Sequence, residues 1–344
     1  MKIIDLRSDT KTLPTAEMRL AMYKAELGDD VDGEDPSVNR LEEMAAEMLG
    51  KEAAIYTASG IMSNLLAILS HTRPGEEIII GSESHIFWYE VGGASTLGGV
   101  VMRTIPNDTD GTISPDDLTQ AIREKDLDFP ETALFCLENT HNRCGGRVLG
   151  EEYTSSICKL AHAQGLKVHI DGARIFNSAV YLGIAASRLA KDSDSVCFCL
   201  SKNLSAPVGS LLCGSGDFIR RARKWRRMLG GGMRQAGVIA AAGIIALEQM
   251  VDRLFIDHEN ARLLAEGLAK IPGITIHPER VQTNIVLFEP PENLNPEEFL
   301  LATKERGVLL GSMGGRTIRA VTHRHISRDD IQTSIEMINS AAKA

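Results

Sequence analysis

The chain has 344 residues and a hydrophobic content of 43%, enough for one large domain with a second, smaller one. Its formal net charge of −9 argues against a nucleic-acid partner, because such partners favour basic faces. The N-terminal MKIIDLRSDT lacks a signal-peptide pattern, and no segment approaches the roughly 18 apolar residues of a membrane span. We therefore expect a cytoplasmic protein that binds neither nucleic acid nor membrane.

The first well-marked element is a helix over residues 35–50. Asp35 can cap it, Pro36 suits its first turn, and Gly50 suits its end. Apolar residues recur in it at helical spacing, which predicts one buried face.

Between residues 53 and 214, short apolar runs alternate with helical segments, among them EEIII, TALFCLE, LKVHID, SVCFCL and SLLCG. This alternation predicts an α/β domain with a mostly parallel sheet covered on both faces. Six cysteines are too few for a disulfide scaffold in so long a chain. We expect Cys197 and Cys199, on one side of a strand, to be buried thiols.

From about residue 240 the pattern changes to one long helical stretch that closes at Pro272-Gly273. It is followed by apolar runs and helices: ITIHPE, TNIVLFE, NPEEFLLATKERG, VLLG, TIRAVTH and a final helix. This succession predicts a small α+β domain. We assign residues 1–250, with the N-terminal segment, to the large domain and 251–344 to the small one.

Three groups lie where predicted strands end, the place where ligands collect in parallel-sheet proteins. The turn at Gly60 would aim helix amides at a phosphate, although many such turns are only turns. Asp171 could ligate a metal, act as a base, hold a protonated ring nitrogen, or pair with Arg174 on the surface. Lys202, if desolvated, could form a Schiff base; a solvated lysine is the simpler alternative. Together the three groups suit pyridoxal phosphate.

The chain resembles the L-threonine aldolases, which are β-eliminating lyases of fold type I among pyridoxal-phosphate enzymes. The matching motifs are DLRSDT (5–10), GDDV.GEDP (28–36), SGIMSN (59–64), ESH (83–85), ENTHN..GG (138–146), HIDGAR (169–174), SK.LSAPVGS (201–210), GGGMRQAG (230–237) and IRAVTH (318–323). The resemblance implies an aspartate-aminotransferase-like fold. Its large domain would hold a mostly parallel seven-stranded sheet, with a small C-terminal α+β domain beside it.

The resemblance also implies a role for each matching residue. Lys202 would carry pyridoxal 5′-phosphate, Asp171 would keep its ring nitrogen protonated, and His85 would stack on the ring and act as a base or position a water. Glu138 and Asn139 belong to a motif beside the cofactor. No metal is expected.

Further residues would bind the cofactor's phosphate and the substrate. Ser59, Gly60 and Ile61 would bind the phosphate, while Arg234 would reach the phosphate of a neighbouring subunit. That reach implies a homodimer or homotetramer with active sites at subunit interfaces. Ser8, Arg174 and Arg319 would bind the substrate carboxylate, and Arg174 would also contact the cofactor.

Four positions depart from the family's usual residues. Asp32 replaces a tyrosine and Asp128 replaces a histidine, both associated with the substrate side of the pocket. Ile61 replaces a threonine that adds a hydroxyl to the phosphate site. Asn203 replaces a glycine, and asparagine tolerates left-handed backbone angles better than most residues.

The implied reaction is aldol cleavage of a β-hydroxy-α-amino acid of the L-threonine or L-allo-threonine type, giving glycine and an aldehyde. β-Elimination or racemisation on the same cofactor is the alternative, which the altered pocket favours. A non-catalytic protein that only binds the cofactor would not need Arg174 and Arg319.

Overall fold

The computed structural model describes residues 2–343. Its central feature is a seven-stranded sheet with the order β2-β8-β7-β6-β5-β3-β4. All neighbours are parallel except at β8, which is antiparallel to both its neighbours. The strands are β2 (Ala53–Thr57), β3 (Glu77–Gly81), β4 (Val101–Ile105), β5 (Thr132–Glu138), β6 (Lys167–Asp171), β7 (Ser195–Cys199) and β8 (Ser210–Gly214). The mostly parallel sheet predicted from the apolar runs is therefore confirmed.

The α-helices of the first 250 residues lie before, between and after these strands. They are α1 (Ala16–Lys24), α2 (Pro36–Leu49), α3 (Gly60–His71), α4 (His85–Trp88), α5 (Gly93–Gly98), α6 (Pro115–Ala121), α7 (Glu151–Ala163), α8 (Ile175–Leu182), α9 (Ala186–Ala190), α10 (Gly216–Met228) and α11 (Gly237–Gln249). Strands β3, β7 and β8 are buried along their whole length, as expected of a sheet covered on both faces. Cys197 and Cys199 are buried free thiols, as predicted.

Helix α2 has the ends that its sequence predicts. The Asp35 carboxylate accepts a hydrogen bond from the Val38 amide, Pro36 occupies the first turn, and Gly50 ends the helix in the left-handed region at φ 63°. Asp35 also accepts from the backbone amide of Gly237 at 2.8 Å. The cap therefore joins α2 to the start of α11.

The C-terminal part contains a three-stranded antiparallel sheet, β11-β12-β9, and a separate two-stranded pair, β1-β10. Strand β1 comes from the N-terminus and pairs in parallel with β10, so Ile4 and Leu6 belong to the C-terminal apolar core. The boundary at residue 250 stays a prediction. The elements are β1 (Ile4–Asp5), α12 (Leu254–Leu268), β9 (Ile285–Phe288), α13 (Pro296–Glu305), β10 (Val308–Leu309), β11 (Gly311–Ser312), β12 (Ile318–Val321) and α14 (Arg328–Ala341).

Two local expectations are wrong. The single long helical stretch from residue 240 is two helices, α11 and α12, separated by residues 250–253. The apolar run ITIHPE forms no strand: Thr275 makes only an isolated bridge with Glu289, and a 3-10 turn covers Pro278–Arg280. Pro278 is the first residue of this turn. It has no backbone amide, so it cannot donate the hydrogen bond that a strand would need.

The parallel strands place their carboxyl ends on one edge of the large sheet. Glu138 ends β5, Asp171 ends β6, and Lys202 lies just beyond β7. This edge is where the candidate site lies. Across residues 2–343, no helix is both long and apolar enough to cross a bilayer.

Candidate active site

A cavity of about 300 Å³ opens at this edge. It brings together most of the residues predicted to bind the ring or the substrate carboxylate. Its lining consists of Ser8, Thr10, His85, Tyr89, Asn142, Arg174, Lys202, Ser312, Met313 and Arg319. A larger cavity of about 480 Å³, between β9 and the loop at Arg143–Gly145, contains none of the predicted site residues. We therefore take the smaller cavity as the candidate site, because its side chains carry the chemistry.

Lys202 enters this cavity from the turn that follows β7. The apolar β7 anchors one side of the turn, since all five of its residues are buried. The hydroxyl of Thr12 donates to the Lys202 carbonyl at 2.7 Å. The backbone of the lysine is therefore fixed from both the sheet and the N-terminal segment.

Asp171 is a buried carboxylate with a defined set of donors. It accepts from the Asn64 side-chain amide at 2.8 Å and from the Ala173 backbone amide at 3.0 Å. Burial alone would raise the pKa of Asp171, but the nearby charges of His85 and Lys202 and these hydrogen bonds lower it. The carboxylate is therefore ionised and suited to hold a protonated ring nitrogen. The alternative surface pair with Arg174 is excluded.

His85 begins α4 and is held by two carboxylates. Its Nδ1 lies 2.9 Å from Glu90 Oε1, and its backbone amide donates to Glu138 Oε2 at 2.6 Å. Burial lowers the pKa of His85, but the Glu90 hydrogen bond and the charge of Asp171 outweigh burial and raise it. The pKa of Glu90 is raised as well, by burial, and Glu90 Oε1 also accepts from Asn64. With Glu90 ionised, this oxygen can only accept, so Nδ1 carries a proton and Nε2 is the nitrogen available as a base.

His85, Glu90 and Asp171 place their polar atoms within 4.8 Å of one another. Asn64 lies between the two carboxylates and donates to Glu90 at 2.7 Å as well as to Asp171. Its carbonyl oxygen accepts from His169 Nε2 at 3.0 Å. Burial lowers the pKa of His169 to about 4, so this ring is neutral near pH 7. By donating to both Glu90 and Asp171, the Asn64 amide holds the two carboxylates in place. A pair of fixed carboxylates suits an organic cation such as a protonated ring.

Two arginines give the cavity its positive side. Arg174 forms a buried two-point ion pair with Asp9, at 2.6 and 2.8 Å, which leaves its Nη1 outside the pair. Arg319 donates from Nη1 to Asn142 Oδ1 at 3.0 Å. Burial and the neighbouring Arg174 lower the pKa of Arg319. Among the described residues, Arg319 Nε is a buried donor without a partner, an arrangement that suits a carboxylate ligand.

The predicted phosphate turn has the expected form. Ser59 caps α3 by accepting from the Met62 amide at 3.2 Å, which leaves the amides of Gly60 and Ile61 at the open end of the helix. A Cβ on Gly60 would lie 2.7 Å from the Cys199 sulfur. Only glycine therefore fits this turn without a shift. With Asp171 and Lys202, the turn meets the requirements of pyridoxal phosphate.

Seven of the residues predicted to bind the cofactor or the substrate are not part of this cavity's lining in the single chain: Asp171 and the phosphate-turn residues Ser59, Gly60 and Ile61, described above, and Asp32, Asp128 and Arg234. Asp32 is exposed in the turn before α2. Asp128 is exposed in the loop before β5, where its amide donates to Asp126. Arg234 forms an ion pair with Asp29 at 2.7 Å. The roles of these last three residues stay predictions.

The sequence alone does not predict several residues of the site. Asp9, Asn64 and Asn142 lie inside the motifs DLRSDT, SGIMSN and ENTHN, so membership of a matching motif was the available signal. Glu90 lies just outside ESH. Its contact with His85 depends on the short helix α4 and the turn after it, which the sequence did not predict.

A model of the beta-eliminating lyase family matches residues 5–290. The chain is 44% identical to the low-specificity L-threonine aldolase 1 of Arabidopsis thaliana, over 99% of this chain and 97% of that one. It is also 44% identical to the low specificity L-threonine aldolase of Escherichia coli strain K12, over 96% of each chain.

Solved structures show the same fold at low identity. The threonine aldolase of Leishmania major superposes with a TM-score of 0.83 at 17% identity, covering 98% of this chain and 99% of that one. The serine palmitoyltransferase of Sphingomonas wittichii gives 0.80 at 17% identity, covering 99% and 87%. The aspartate-aminotransferase-like fold inferred from the motifs is confirmed. The chain belongs to the beta-eliminating lyase family.

Proposed function

We propose that the protein uses pyridoxal 5′-phosphate to cleave a β-hydroxy-α-amino acid of the L-threonine or L-allo-threonine type into glycine and an aldehyde. The observation that carries this proposal is the meeting of Lys202, His85 and Arg319 in one cavity. Full-length similarity to low-specificity L-threonine aldolases supports the same reaction. The cofactor, when bound, supplies an electron sink that stabilises negative charge at Cα.

The protein's own groups hold the reacting molecule. Lys202 Nζ is the amine that carries the cofactor, and the ionised Asp171 keeps a proton on its ring nitrogen. Gly60 and Ile61 direct backbone amides at its phosphate. Together these three groups would hold the cofactor.

The two arginines select which bond breaks. Arg319, with Nε free of protein partners, and Arg174 bind the substrate carboxylate. Holding the carboxylate would fix the torsion at Cα and so select the Cα–Cβ bond for cleavage. His85 Nε2 would accept the β-hydroxyl proton as the Cα–Cβ bond breaks and the aldehyde C=O forms, and the electron pair left on Cα would then take up a proton to complete glycine.

The oligomer belongs to the same proposal. We expect a homodimer or homotetramer in which Arg234 of one subunit reaches the phosphate site of the next. Large apolar side chains are exposed in the phosphate turn, in the turn between Lys202 and β8, and in α10 and α11, a composition typical of subunit contacts. They are Ile61, Val208, Met228 and Val238. A cytoplasmic location remains a prediction, and the free cysteines are compatible with a reducing compartment.

The test is product analysis with the cofactor-loaded protein and a panel of β-hydroxy-α-amino acids, with Lys202→Ala as the blank. We expect glycine and the matching aldehyde in equal amounts. Pyruvate and ammonia from serine or cysteine derivatives would instead show elimination, and inversion without cleavage would show racemisation. Cofactor binding without any of these products would refute catalysis.

A further inference from the structure

Asn203 directly follows the cofactor lysine and is almost fully buried, at 2% exposure. Its side-chain amide donates to Asp257 Oδ2 at 2.8 Å and to the Thr322 carbonyl at 3.3 Å. Its Oδ1 accepts from Asn284 Nδ2 at 2.9 Å. The left-handed residue of this turn is Ser205, at φ 63°. Asparagine is therefore used here for its side chain and not for glycine-like backbone freedom.

The partners of Asn203 lie in the C-terminal part of the fold. Asp257 belongs to α12, where Arg253 binds it at 2.8 Å. The Thr322 hydroxyl donates to the Asp257 carbonyl at 2.6 Å, and Thr322 directly follows β12, the strand that carries Arg319. A short series of buried hydrogen bonds therefore joins Asn203, the residue after Lys202, to β12, the strand that carries the carboxylate-binding Arg319.

A second series of polar contacts joins Asn203 to Arg174. Asn284 Nδ2, which donates to Asn203, also lies 3.2 Å from Asp9 Oδ2. Asp9 is the carboxylate that holds the Arg174 guanidinium. Both arginines of the carboxylate site are thus linked to the turn of Lys202 through Asn203.

We propose that Asn203 is a positioning residue that fixes Lys202 relative to the carboxylate-binding arginines. This inference rests on the proposed carboxylate site. The site around Asn203 presents an acceptor, Asp257, on one side and a donor, Asn284, on the other. A side-chain amide serves both at once, whereas glycine and alanine serve neither.

The effect of losing this link follows from geometry. Asn203 directly follows the lysine that would carry the cofactor, and its hydrogen bonds lead to the elements that hold both carboxylate-binding arginines. A displacement of about 1 Å in such an arrangement can reduce the rate by about 100-fold. Glycine, which has the same amino and carboxylate groups but no β-hydroxyl, reports this geometry through binding alone.

The first experiment compares Asn203→Gly with Asn260→Ala. Asn260 is a matched buried asparagine of α12, whose amide donates to the Ile326 carbonyl at 2.9 Å without contacting Asn203. We expect Asn203→Gly to weaken glycine binding, read from the cofactor's absorption spectrum, by about 10-fold or more. Asn260→Ala should lower the melting temperature while leaving glycine binding within about 2-fold.

The second readout needs neither cofactor nor substrate. Hydrogen exchange should accelerate in both the Lys202 turn and β12 of Asn203→Gly, and in neither segment of Asn260→Ala. Asn203→Asp provides a rescue test, because it cannot donate to Asp257 until it is protonated. Its glycine binding, relative to wild type at each pH, should recover as the pH falls.

The inference is overturned if Asn203→Gly loses thermal stability but keeps wild-type glycine binding and wild-type exchange in β12. A failure of the proposed aldol cleavage is distinguishable from this result. In that case wild type forms no glycine and aldehyde, while the exchange experiment still reports whether Asn203 links the two segments.

Discussion

At the scale of single residues, the contact between His85 and Glu90 determines the base. Glu90→Gln removes the carboxylate that raises the pKa of His85 against the effect of burial, so the pKa of His85 should fall. The neutral ring would then persist to lower pH, and the acid limb of kcat/KM should move to lower pH. We also expect the plateau value of kcat/KM to fall by about 10-fold or more, because a positioned base contributes about 10²–10⁴-fold to the rate.

A pH profile of kcat/KM, together with NMR titration of the His85 ring, checks this prediction. Glu131→Gln is the control, since Glu131 pairs with Lys125 on an exposed loop. An acid limb that stays in place in Glu90→Gln would show that Glu90 does not act on the base.

The phosphate turn gives a second prediction at this scale. In Gly60→Ala the new Cβ would lie 2.7 Å from the Cys199 sulfur. Overpacking of this kind costs about 1–3 kcal/mol, or about 5- to 150-fold in cofactor affinity if the turn absorbs the shift. Gly150→Ala, at the start of α7, is the matched control, because a Cβ there meets nothing within 4 Å.

Titration of the cofactor-free protein with pyridoxal phosphate measures the difference. Removing the sulfur in Gly60→Ala/Cys199→Ala should restore much of the affinity. Equal affinities for Gly60→Ala and wild type would contradict the phosphate assignment.

Residues at strand ends could be predicted from the sequence, whereas their partners could not. Asp171 and Lys202 each come at or just after the end of an apolar run, which predicts that both lie where a strand of the sheet ends. Glu90 and Asn64 reach Asp171 only because α3, the turn after α4 and β6 fold together. No spacing in the sequence encodes that approach.

At the scale of elements, β3, β7 and β8 were predictable because they are apolar runs buried along their whole length, whereas the edge strand β4 is mostly exposed or half-buried. The break between α11 and α12 was not predictable, because residues 250–253 contain neither glycine nor proline. Arg253, the last residue of the break, forms an ion pair with Asp257, four residues further on in α12. The same Asp257 anchors Asn203.

The cap of α2 provides a prediction about stability. Asp35→Ala removes the helix cap, at about 1 kcal/mol, and leaves the Gly237 amide unpaired, at about 1–3 kcal/mol. We expect a loss of about 2–4 kcal/mol in the free energy of unfolding, measured with denaturant. Ser114→Ala removes only the cap of the short helix α6 and should cost about 1 kcal/mol. Equal losses would show that the contact with α11 contributes nothing.

At the scale of the whole molecule, the assembly of the site across subunits is open to a complementation test. Lys202→Ala lacks the cofactor lysine, and Arg234→Ala lacks the arginine proposed to act on the neighbouring subunit. A mixed oligomer would contain one site with both Lys202 and Arg234 intact. Refolding the two variants together should therefore give more activity than either alone. Activity no greater than the average of the two would place Arg234 in its own subunit's site.

The central claim is that this chain breaks the Cα–Cβ bond of a β-hydroxy-α-amino acid with its bound cofactor. An NMR time course of the loaded enzyme with L-threonine and with L-allo-threonine tests it most directly. Glycine and acetaldehyde should appear in equal amounts, and Lys202→Ala should produce neither. Loaded wild-type enzyme that binds glycine yet leaves both substrates intact, or converts them without forming glycine, would contradict it.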